Sequence, residues 1–278
     1  MKAVAGFGLV NPWEGTIAFP DKARLSKPRA IGLTMVMDKG LGLSETAELL
    51  SVAGECIDYI KLAFGTSALY PGQILRDKVS LIRSWGIHVY PGGTFLEIAS
   101  IQQQIAGFLV KCRELGFSAI EVSDGTISLT PDERTNIIMQ AKDMGYHVLS
   151  EVGKKSPVES SGVEEIVSQV SSDLRAGADQ VILEARESGK GIGIFDKNGE
   201  IRDEFFRNLA RHLRDIPGII WEAPLKNQQL ELIRTFGPNV NLGNIPPGEV
   251  LALEALRVGL RSDTLKDILC RQIPLAMV

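Results

Sequence analysis

The sequence predicts an α/β fold, a single-domain (β/α)8 TIM barrel, on the strength of three observations. Eight short apolar runs recur at intervals of roughly 30 residues, the length of one strand, one helix and two loops. Predicted helices end on glycine just before the next run, as in ELGFSAIEV and DMGYHVLSEV. Runs such as GLTMVM and QVILEA are apolar at nearly every position, which is typical of parallel strands buried on both faces. An open doubly wound sheet is the structural alternative.

The predicted elements follow one another along the chain in this order. Residues 1–29, rich in Gly, Pro and charge, form an N-terminal arm or cap; residues 30–264 form the barrel, and residues 265–278 a C-terminal tail. Amphipathic patterns between the apolar runs predict helices that cover the sheet. The eight strands are expected where apolar runs pass into polar or glycine-rich loops: TMVMDKG, YIKLAFGTS, VYPGGT, IEVSDG, LSEVGKK, ILEARESGKG, IWEAPLK and NVNLGN.

Composition argues against several classes of function. Charged residues make up 23% of the chain and the net charge is −4, so it lacks the basic surplus of a nucleic-acid-binding protein. Three widely spaced cysteines fit neither a zinc site nor a disulfide framework, which favours the cytoplasm. No apolar stretch approaches the ~18 residues of a membrane span. We therefore expect a cytoplasmic protein without nucleic-acid or membrane partners, and a homo-oligomer, as is common for such barrels.

Four glutamates lie near the ends of four consecutive predicted strands, each within an apolar run. In a (β/α)8 barrel these strand ends meet on the face that carries the active site. Buried carboxylates must protonate, pair with cations or hold a metal, because an isolated buried charge is costly. A hard, oxygen-ligated cation such as Mg²⁺ would balance such a cluster. The candidate metal ligands are Glu121, Glu151, Glu184 and Glu222.

Basic side chains could balance the same charge without an ion. Lys61, in the apolar run YIKLAF, is a candidate internal cation, and so are Arg186 and Lys155. The alternative hypothesis is therefore a polar layer of paired charges inside the barrel. The position of all four glutamates on the expected active-site face favours the metal.

Two segments have the composition of anion-binding loops. The segment ARESGKGIGIFD combines glycines, which let backbone N–H groups approach an anion, with an arginine and a lysine. It lacks the Walker and Rossmann spacings, so a plain flexible loop is the alternative. The later segment NVNLGNIPP precedes the last helices, where barrels often bind phosphate. The candidate substrate-binding residues in these segments are Arg186, Lys190, Gly191, Gly243 and Asn244.

Further lysines follow the predicted strands. Lys154 and Lys155 come after the fifth strand, and a partly desolvated lysine among carboxylates can transfer a proton to or from carbon. Only one of the two is expected to face the site. Lys39 follows the first strand and is a further candidate for substrate binding. His88 and His147 begin strands, on the opposite face of the barrel, so neither is predicted to be catalytic.

From about residue 27 to residue 264 the sequence resembles the phosphosulfolactate synthase (ComA-like) family. The resemblance implies a Mg²⁺-dependent (β/α)8 carbon–sulfur lyase that adds sulfite to phosphoenolpyruvate, giving (2R)-phospho-3-sulfolactate. In methanogens this reaction opens coenzyme M biosynthesis, and related bacterial enzymes feed sulfolactate production. The segments that carry the resemblance are KPRAIGLTMVMDKGL, DYIKLAFGTSALYP, VYPGGTFLE, GFSAIEVSDGT, VLSEVGKK, EARESGKGIGIFD, EAPLKNQQ and GPNVNLGNIPP.

The resemblance also implies roles for individual side chains. A metal on the carboxylate of phosphoenolpyruvate would make C3 electrophilic, sulfite would attack C3, and a general acid would protonate C2. The resemblance points to the second lysine of EVGKK, Lys155, as that acid. Arg186 and Lys190 would hold the phosphate, while Lys61 or Lys39 would bind sulfite or the carboxylate.

Two other functions stay open at this point. One is a different metal-assisted enolate enzyme on the same barrel, such as an acid-sugar dehydratase, because fold alone does not determine the reaction. The other is a non-catalytic protein like the heat-stress-associated proteins, a distant plant branch of the family. The intact EVGKK and ESGKG segments favour an active enzyme.

Overall fold

The computed structural model describes residues 12–153, 162–185, 187–191, 193–214 and 216–272. In this part of the chain eight parallel strands form one sheet, with the order β3, β2, β1, β8, β7, β6, β5, β4. The strands are β1 (Thr34–Asp38), β2 (Tyr59–Leu62), β3 (His88–Pro91), β4 (Ala119–Val122), β5 (His147–Val152), β6 (Gln180–Leu183), β7 (Ile219–Glu222) and β8 (Asn241–Ile245). Because β1 pairs with β8, and the two ends of this order, β3 and β4, meet through the hydrogen bond from Ser118 to Val89, the sheet closes into a barrel. The predicted (β/α)8 TIM barrel is confirmed, and the open doubly wound alternative is wrong.

Helices alternate with the strands and cover the outside of the barrel. Two of them, α4 and α6 in the order given below, end at Gly116 and Gly177, whose φ angles of 90° and 109° lie in the left-handed region that glycine adopts easily. The helices are α1 (Leu43–Ala53), α2 (Gly72–Ser84), α3 (Gly93–Ile101), α4 (Ile105–Leu115), α5 (Pro131–Asp143), α6 (Val163–Ala176), α7 (Asp203–Leu213), α8 (Lys226–Phe236), α9 (Val250–Arg257) and α10 (Ser262–Gln272).

The barrel has a seam between β3 and β4, the two ends of the strand order. The backbone N–H of Ser118, just before β4, donates to the carbonyl of Val89 at 3.2 Å. The hydroxyl of Ser118 in turn accepts a hydrogen bond from the N–H of Val89 at 3.1 Å. One backbone bond and one side-chain bond therefore join β3 and β4 where a strand ladder joins the other neighbours.

The predicted arm and tail extend the barrel at its two chain ends. In the described part of the arm, Arg29 bonds Asp58 just before β2, and Arg24 forms an ion pair with Glu254 on α9. These contacts hold the arm near the amino-terminal ends of the strands. The predicted boundary between residues 264 and 265 falls inside α10, so the described start of the tail continues a helix. Among the described residues, no helix is both long and apolar enough to span a membrane.

Two histidines stack at the amino-terminal end of the barrel. His88 and His147 are the first residues of β3 and β5, and their rings lie 4.6 Å apart. The hydroxyl of Tyr59 lies 2.9 Å from Nε2 of His147. Burial lowers the pKa of His147 to about 4, against the opposing attraction of Asp179. The pair therefore packs as neutral rings, far along the strands from their carboxyl ends.

Candidate functional site

The four predicted glutamates occupy positions whose side chains point into the barrel. Side chains on a strand point alternately inward and outward, so residues two apart share a face. Each glutamate lies two positions after an apolar residue of the cluster that fills the barrel interior. The glutamates therefore form a layer just above that apolar cluster, towards the carboxyl ends of the strands. The pairs are Ala119 and Glu121, Leu149 and Glu151, Ile182 and Glu184, and Ile220 and Glu222.

Lys61 on β2 is the cation of this layer. Its Nζ lies 3.0 Å from Oε2 of Glu121, 3.2 Å from Oε2 of Glu151 and 3.6 Å from Oε1 of Glu222. Burial opposes a charge on this lysine, but the facing carboxylates outweigh burial and raise its pKa well above the ordinary value. The facing carboxylates thus favour the charged form of Lys61, and the polar layer of paired charges is present in the structure.

One lysine does not balance the whole layer. Glu151, Glu184 and Glu222 each offer a carboxylate oxygen, and these three oxygens lie within 4.8 Å of one another. Burial, together with repulsion from Glu151 and Glu222, raises the pKa of Glu184 well above its usual value. Burial also raises the pKa of Glu222 to about 7, although Lys61 opposes the shift. Three buried carboxylates this close together are the donor set that a hard divalent cation prefers.

Glu121 is held differently from the other three glutamates. Its Oε1 accepts a hydrogen bond of 2.6 Å from the backbone N–H of Gly93, and its Oε2 faces Lys61. Burial raises its pKa, with Lys61 opposing. Within the described residues, Glu121 is not part of the three-oxygen group. Its described contacts are thus with Lys61 and Gly93, and its role as a metal ligand stays a prediction.

A cavity of about 660 Å³ opens above this layer. Asn244, at the end of β8, lines it with a φ of 56° and a side chain 3% exposed. Its Oδ1 is buried and has no hydrogen-bond partner among the described residues, so a bound molecule could supply one. The described lining consists of Met37, Lys61, Ala63, Phe64, Gly92, Gly93, Thr94, Glu121, Gly125, Thr126, Glu151, Glu184, Glu187, Ser188, Glu222 and Asn244.

Other predicted substrate-binding residues lie away from the cavity wall. Lys39 forms an ion pair with Glu187 at the cavity mouth, and both side chains are about half exposed. Lys190 and Gly191 are exposed and do not line the cavity. Gly243 lies within β8, where a Cβ would come 2.7 Å from Cε of Met35, so it permits close packing below the cavity.

Three predicted residues lie outside the described part of the chain: Lys154, Lys155 and Arg186. The described residues of the segment 185–196 are anchored to the barrel. Gln228 donates to the carbonyl of Gly189 at 2.6 Å, and buried Phe195 forms an antiparallel bridge with Ile201. These contacts are not those of a plain flexible loop.

Sequence reasoning missed a buried arginine that supports the site. Arg134 on α5 donates to the backbone carbonyl of Glu151 at 2.8 Å and to Asp173 on α6. A third bond, of 2.9 Å, reaches Asp124 in the loop after β4. The guanidinium thus ties the end of β5 to two helices and a loop. Its run, PDERTNII, reads as an ordinary polar helix start, so only three-dimensional packing reveals the role.

A serine links two buried carboxylates next to the metal-type cluster. The hydroxyl of Ser123 lies 2.7 Å from Oε1 of Glu97 and 3.0 Å from Oε1 of Glu151. Glu97 also accepts the backbone N–H of Thr126, which lines the cavity. Ser123 thereby contacts Oε1 of Glu151, while Lys61 contacts Oε2. The serine directly follows the strand run AIEV, and a polar residue at that point is the only sequence sign of its role.

Comparison with known proteins decides the family. The model of the family described as (2R)-phospho-3-sulfolactate synthase (ComA) matches residues 22–263. The chain belongs to this family. A phosphosulfolactate synthase from Methanocaldococcus jannaschii is 46% identical over 235 residues, covering 84% of this chain and 93% of that protein. Another, from Methanothermobacter thermautotrophicus, is 45% identical over 247 residues, covering 88% of this chain and 95% of that protein.

The phosphosulfolactate synthase resemblance in the sequence is thus confirmed, and the homologues indicate an enzyme. Among solved structures, the YdjI aldolase from Escherichia coli K12 superposes with a TM-score of 0.53 at 12% sequence identity. That match covers 87% of this chain and 90% of the aldolase. At this identity the likeness shows a shared barrel and carries no information about the reaction.

Proposed function

We propose that the chain is a Mg²⁺-dependent phosphosulfolactate synthase, a carbon–sulfur lyase that joins sulfite to phosphoenolpyruvate and forms (2R)-phospho-3-sulfolactate. The observation that carries the proposal is the group of three buried carboxylates beside Lys61, at the floor of the cavity of a member of this family. Phosphoenolpyruvate carries a carboxylate and a phosphate, so its binding site needs positive charge near both groups. At the cavity floor, Lys61 and a bound metal ion would supply part of that charge.

Glu151, Glu184 and Glu222 would hold the Mg²⁺ ion. Their oxygens are close enough to share one cation, and their chemistry suits a hard metal. Bound there, the ion would offset the charge of the carboxylates and, through the substrate carboxylate, withdraw electron density from C3. Arg134 and Ser123 hold Glu151 from two directions and so keep the ligand set in place.

Lys61 stays protonated under its three carboxylates and presents a fixed positive charge to the cavity floor. In the proposed reaction it attracts sulfite or the substrate carboxylate without giving up its proton. Glu121 and the N–H of Gly93 keep the ammonium group in position. The buried Oδ1 of Asn244, on the neighbouring wall, would accept a hydrogen bond from a protonated oxygen of the substrate.

Proton delivery and phosphate binding fall to residues of the adjoining loops. Sulfite attack on C3 forms the C–S bond and breaks the C2–C3 π bond, whose electron pair takes a proton at C2. Lys155, in the segment that follows β5, is the proposed donor of that proton, with Lys154 beside it. Arg186 and Lys190 belong to the segment after β6 and are proposed to hold the phosphate. Lys39, paired with Glu187 at the cavity mouth, is a further proposed contact for a substrate anion.

The test is consumption of phosphoenolpyruvate that depends on sulfite. Purified protein with Mg²⁺ should convert both substrates to a phosphorylated sulfonate, seen as a new ³¹P resonance, and EDTA should abolish the conversion. Lys155→Ala should lose turnover yet keep Mg²⁺ binding, whereas Glu222→Gln should lose both. Lys111→Ala, an exposed residue outside the cavity, is the matched control.

Two outcomes would contradict the proposal. Mg²⁺ binding with no use of phosphoenolpyruvate would favour a different metal-assisted enolate reaction. If neither Mg²⁺ nor phosphoenolpyruvate raised the melting temperature, a non-catalytic role would be favoured instead.

A further inference from the structure

Phe64 has a backbone conformation that an aromatic residue rarely adopts. Its φ and ψ are 57° and 28°, in the left-handed region, and Gly65 follows with 64° and 15°. A side chain with a Cβ is crowded by its own backbone there, so a bulky residue at such a position is strained. The described chain has two other non-glycine residues with positive φ, Gln103 and Asn244. Phe64 and Asn244 both line the cavity.

Packing of the ring does not compensate for this strain. The side chain of Phe64 is 56% exposed, although phenylalanine usually lies buried. Glycine, which adopts the same conformation freely, would serve the turn as well. A strained residue that gains little from its own packing is a candidate for function, especially at the mouth of a cavity.

Phe64 also supplies an apolar surface that the other described lining residues expose little of. Its described lining is mostly acidic, hydroxyl-bearing or glycine, and the other apolar members, Met37 and Ala63, are 4% and 1% exposed. Among the described lining residues, the ring of Phe64 is therefore the main apolar surface that a ligand can reach. In the substrate of the proposed reaction, charge occupies the carboxylate and phosphate ends, and only the methylene carbon C3 is apolar. An aromatic face suits that carbon and does not suit the charged ends.

We propose that Phe64 packs against C3 of the enol ester and determines specificity for an unsubstituted methylene group. This inference rests on the proposed function and adds a contact that the charged residues do not supply. The ring takes no part in the change of bonds. It limits the space around C3, so that sulfite fits beside a methylene carbon and a methyl-substituted carbon is excluded.

The experiment compares two substrates, phosphoenolpyruvate and its analogue with one methyl group on C3. Phe64→Ala should lower kcat/KM for phosphoenolpyruvate by about tenfold or more, and raise the analogue-to-parent ratio of kcat/KM by about tenfold, the range expected for one methyl group in an apolar pocket. Phe64→Leu, which keeps apolar bulk, should fall between the parent and the alanine variant. Leu69→Ala is the matched control, because Leu69 follows the same turn, is 81% exposed and does not line the cavity.

Phe64→Gly separates a contact from a structural role. Glycine relieves the left-handed strain, so its denaturation midpoint should not fall below that of the parent, while its kcat/KM should fall as in the alanine variant. An unchanged substrate ratio in Phe64→Ala would overturn the assignment, even if turnover fell, because the defect would then lie in the loop. An inactive parent protein would instead overturn the proposed function, and this inference with it.

Discussion

Lys61→Met is the sharpest test of the charge arrangement in the barrel. Methionine is apolar and of similar length, so the variant removes the ammonium group while keeping much of the volume. It leaves three carboxylates, formerly 3.0, 3.2 and 3.6 Å from Nζ, buried without their cation. Removing one partner of a buried ion pair typically costs about 3–5 kcal/mol of folding free energy. For a chain of this size, that loss corresponds to a fall in melting temperature of roughly 6–20 °C.

The loss of folding stability in Lys61→Met should depend on pH and on Mg²⁺. At lower pH the orphaned glutamates can protonate, so the difference between variant and parent should be smaller at pH 5 than at pH 8. Added Mg²⁺ should stabilise the variant more than the parent, since no ammonium group then opposes a cation among Glu151, Glu184 and Glu222. Thermal denaturation in EDTA and in Mg²⁺, at both pH values, measures all of these differences.

The matched control is Lys111→Met. Lys111 forms an ion pair with Glu114 at 2.7 Å, but their side chains are 67% and 57% exposed. An exposed pair of this kind contributes less than about 1 kcal/mol, so its loss should barely move the melting temperature. If Lys61→Met in EDTA at pH 8 were as stable as Lys111→Met, the reasoning about a buried cation would be refuted.

Three further predictions concern the supports of the site and the opposite end of the barrel. Arg134→Met should cost about 3–5 kcal/mol and weaken Mg²⁺ binding measured by calorimetry, because it frees the carbonyl of Glu151 and leaves buried Asp173 without its cation. Gly93→Ala should cost about 1–3 kcal/mol in urea denaturation and reduce turnover, because its Cβ would lie 2.5 Å from Cβ of Ser123. Burial lowers the pKa of His147 to about 4 in the folded state, below its ordinary value of about 6.5. The neutral ring therefore contributes its full stability above about pH 6.5. As the pH falls from about 6.5 to 4, the folded protein should lose at most about 3 kcal/mol of unfolding free energy. The difference in unfolding free energy between His147→Asn and the parent should change in that window; a pH-independent difference would contradict it.

The strands and the glutamate layer were predictable because both follow from simple periodicity. Buried parallel strands are apolar at nearly every position, so Glu121, Glu151 and Glu222 stood out inside their runs. The two-residue alternation then put them on the inner face. Sequence alone did not separate Glu121 from the metal-type group, since that depends on which oxygen the N–H of Gly93 reaches.

The other features depend on contacts between distant segments. Arg134 lies in a helix whose sequence looks polar, and its three partners come from three different elements. The pairing of Lys39 with Glu187 joins residues 148 positions apart. The left-handed backbone of Phe64 has no sign in the run KLAFGTS except the glycine after it. Such features follow from the closed barrel and not from local propensity.

The seam between β3 and β4 is the one place in the described sheet where neighbouring strands lack a hydrogen-bonded ladder. We expect the barrel to widen there before it widens between fully paired strands. Here the seam runs between the Gly92–Gly93 corner and the Ser123–Thr126 loop, both of which border the cavity. At the cavity end, the bond from Gly93 to Glu121 crosses it. Glu121 therefore joins the two sides of the seam at the cavity end, in addition to pairing with Lys61.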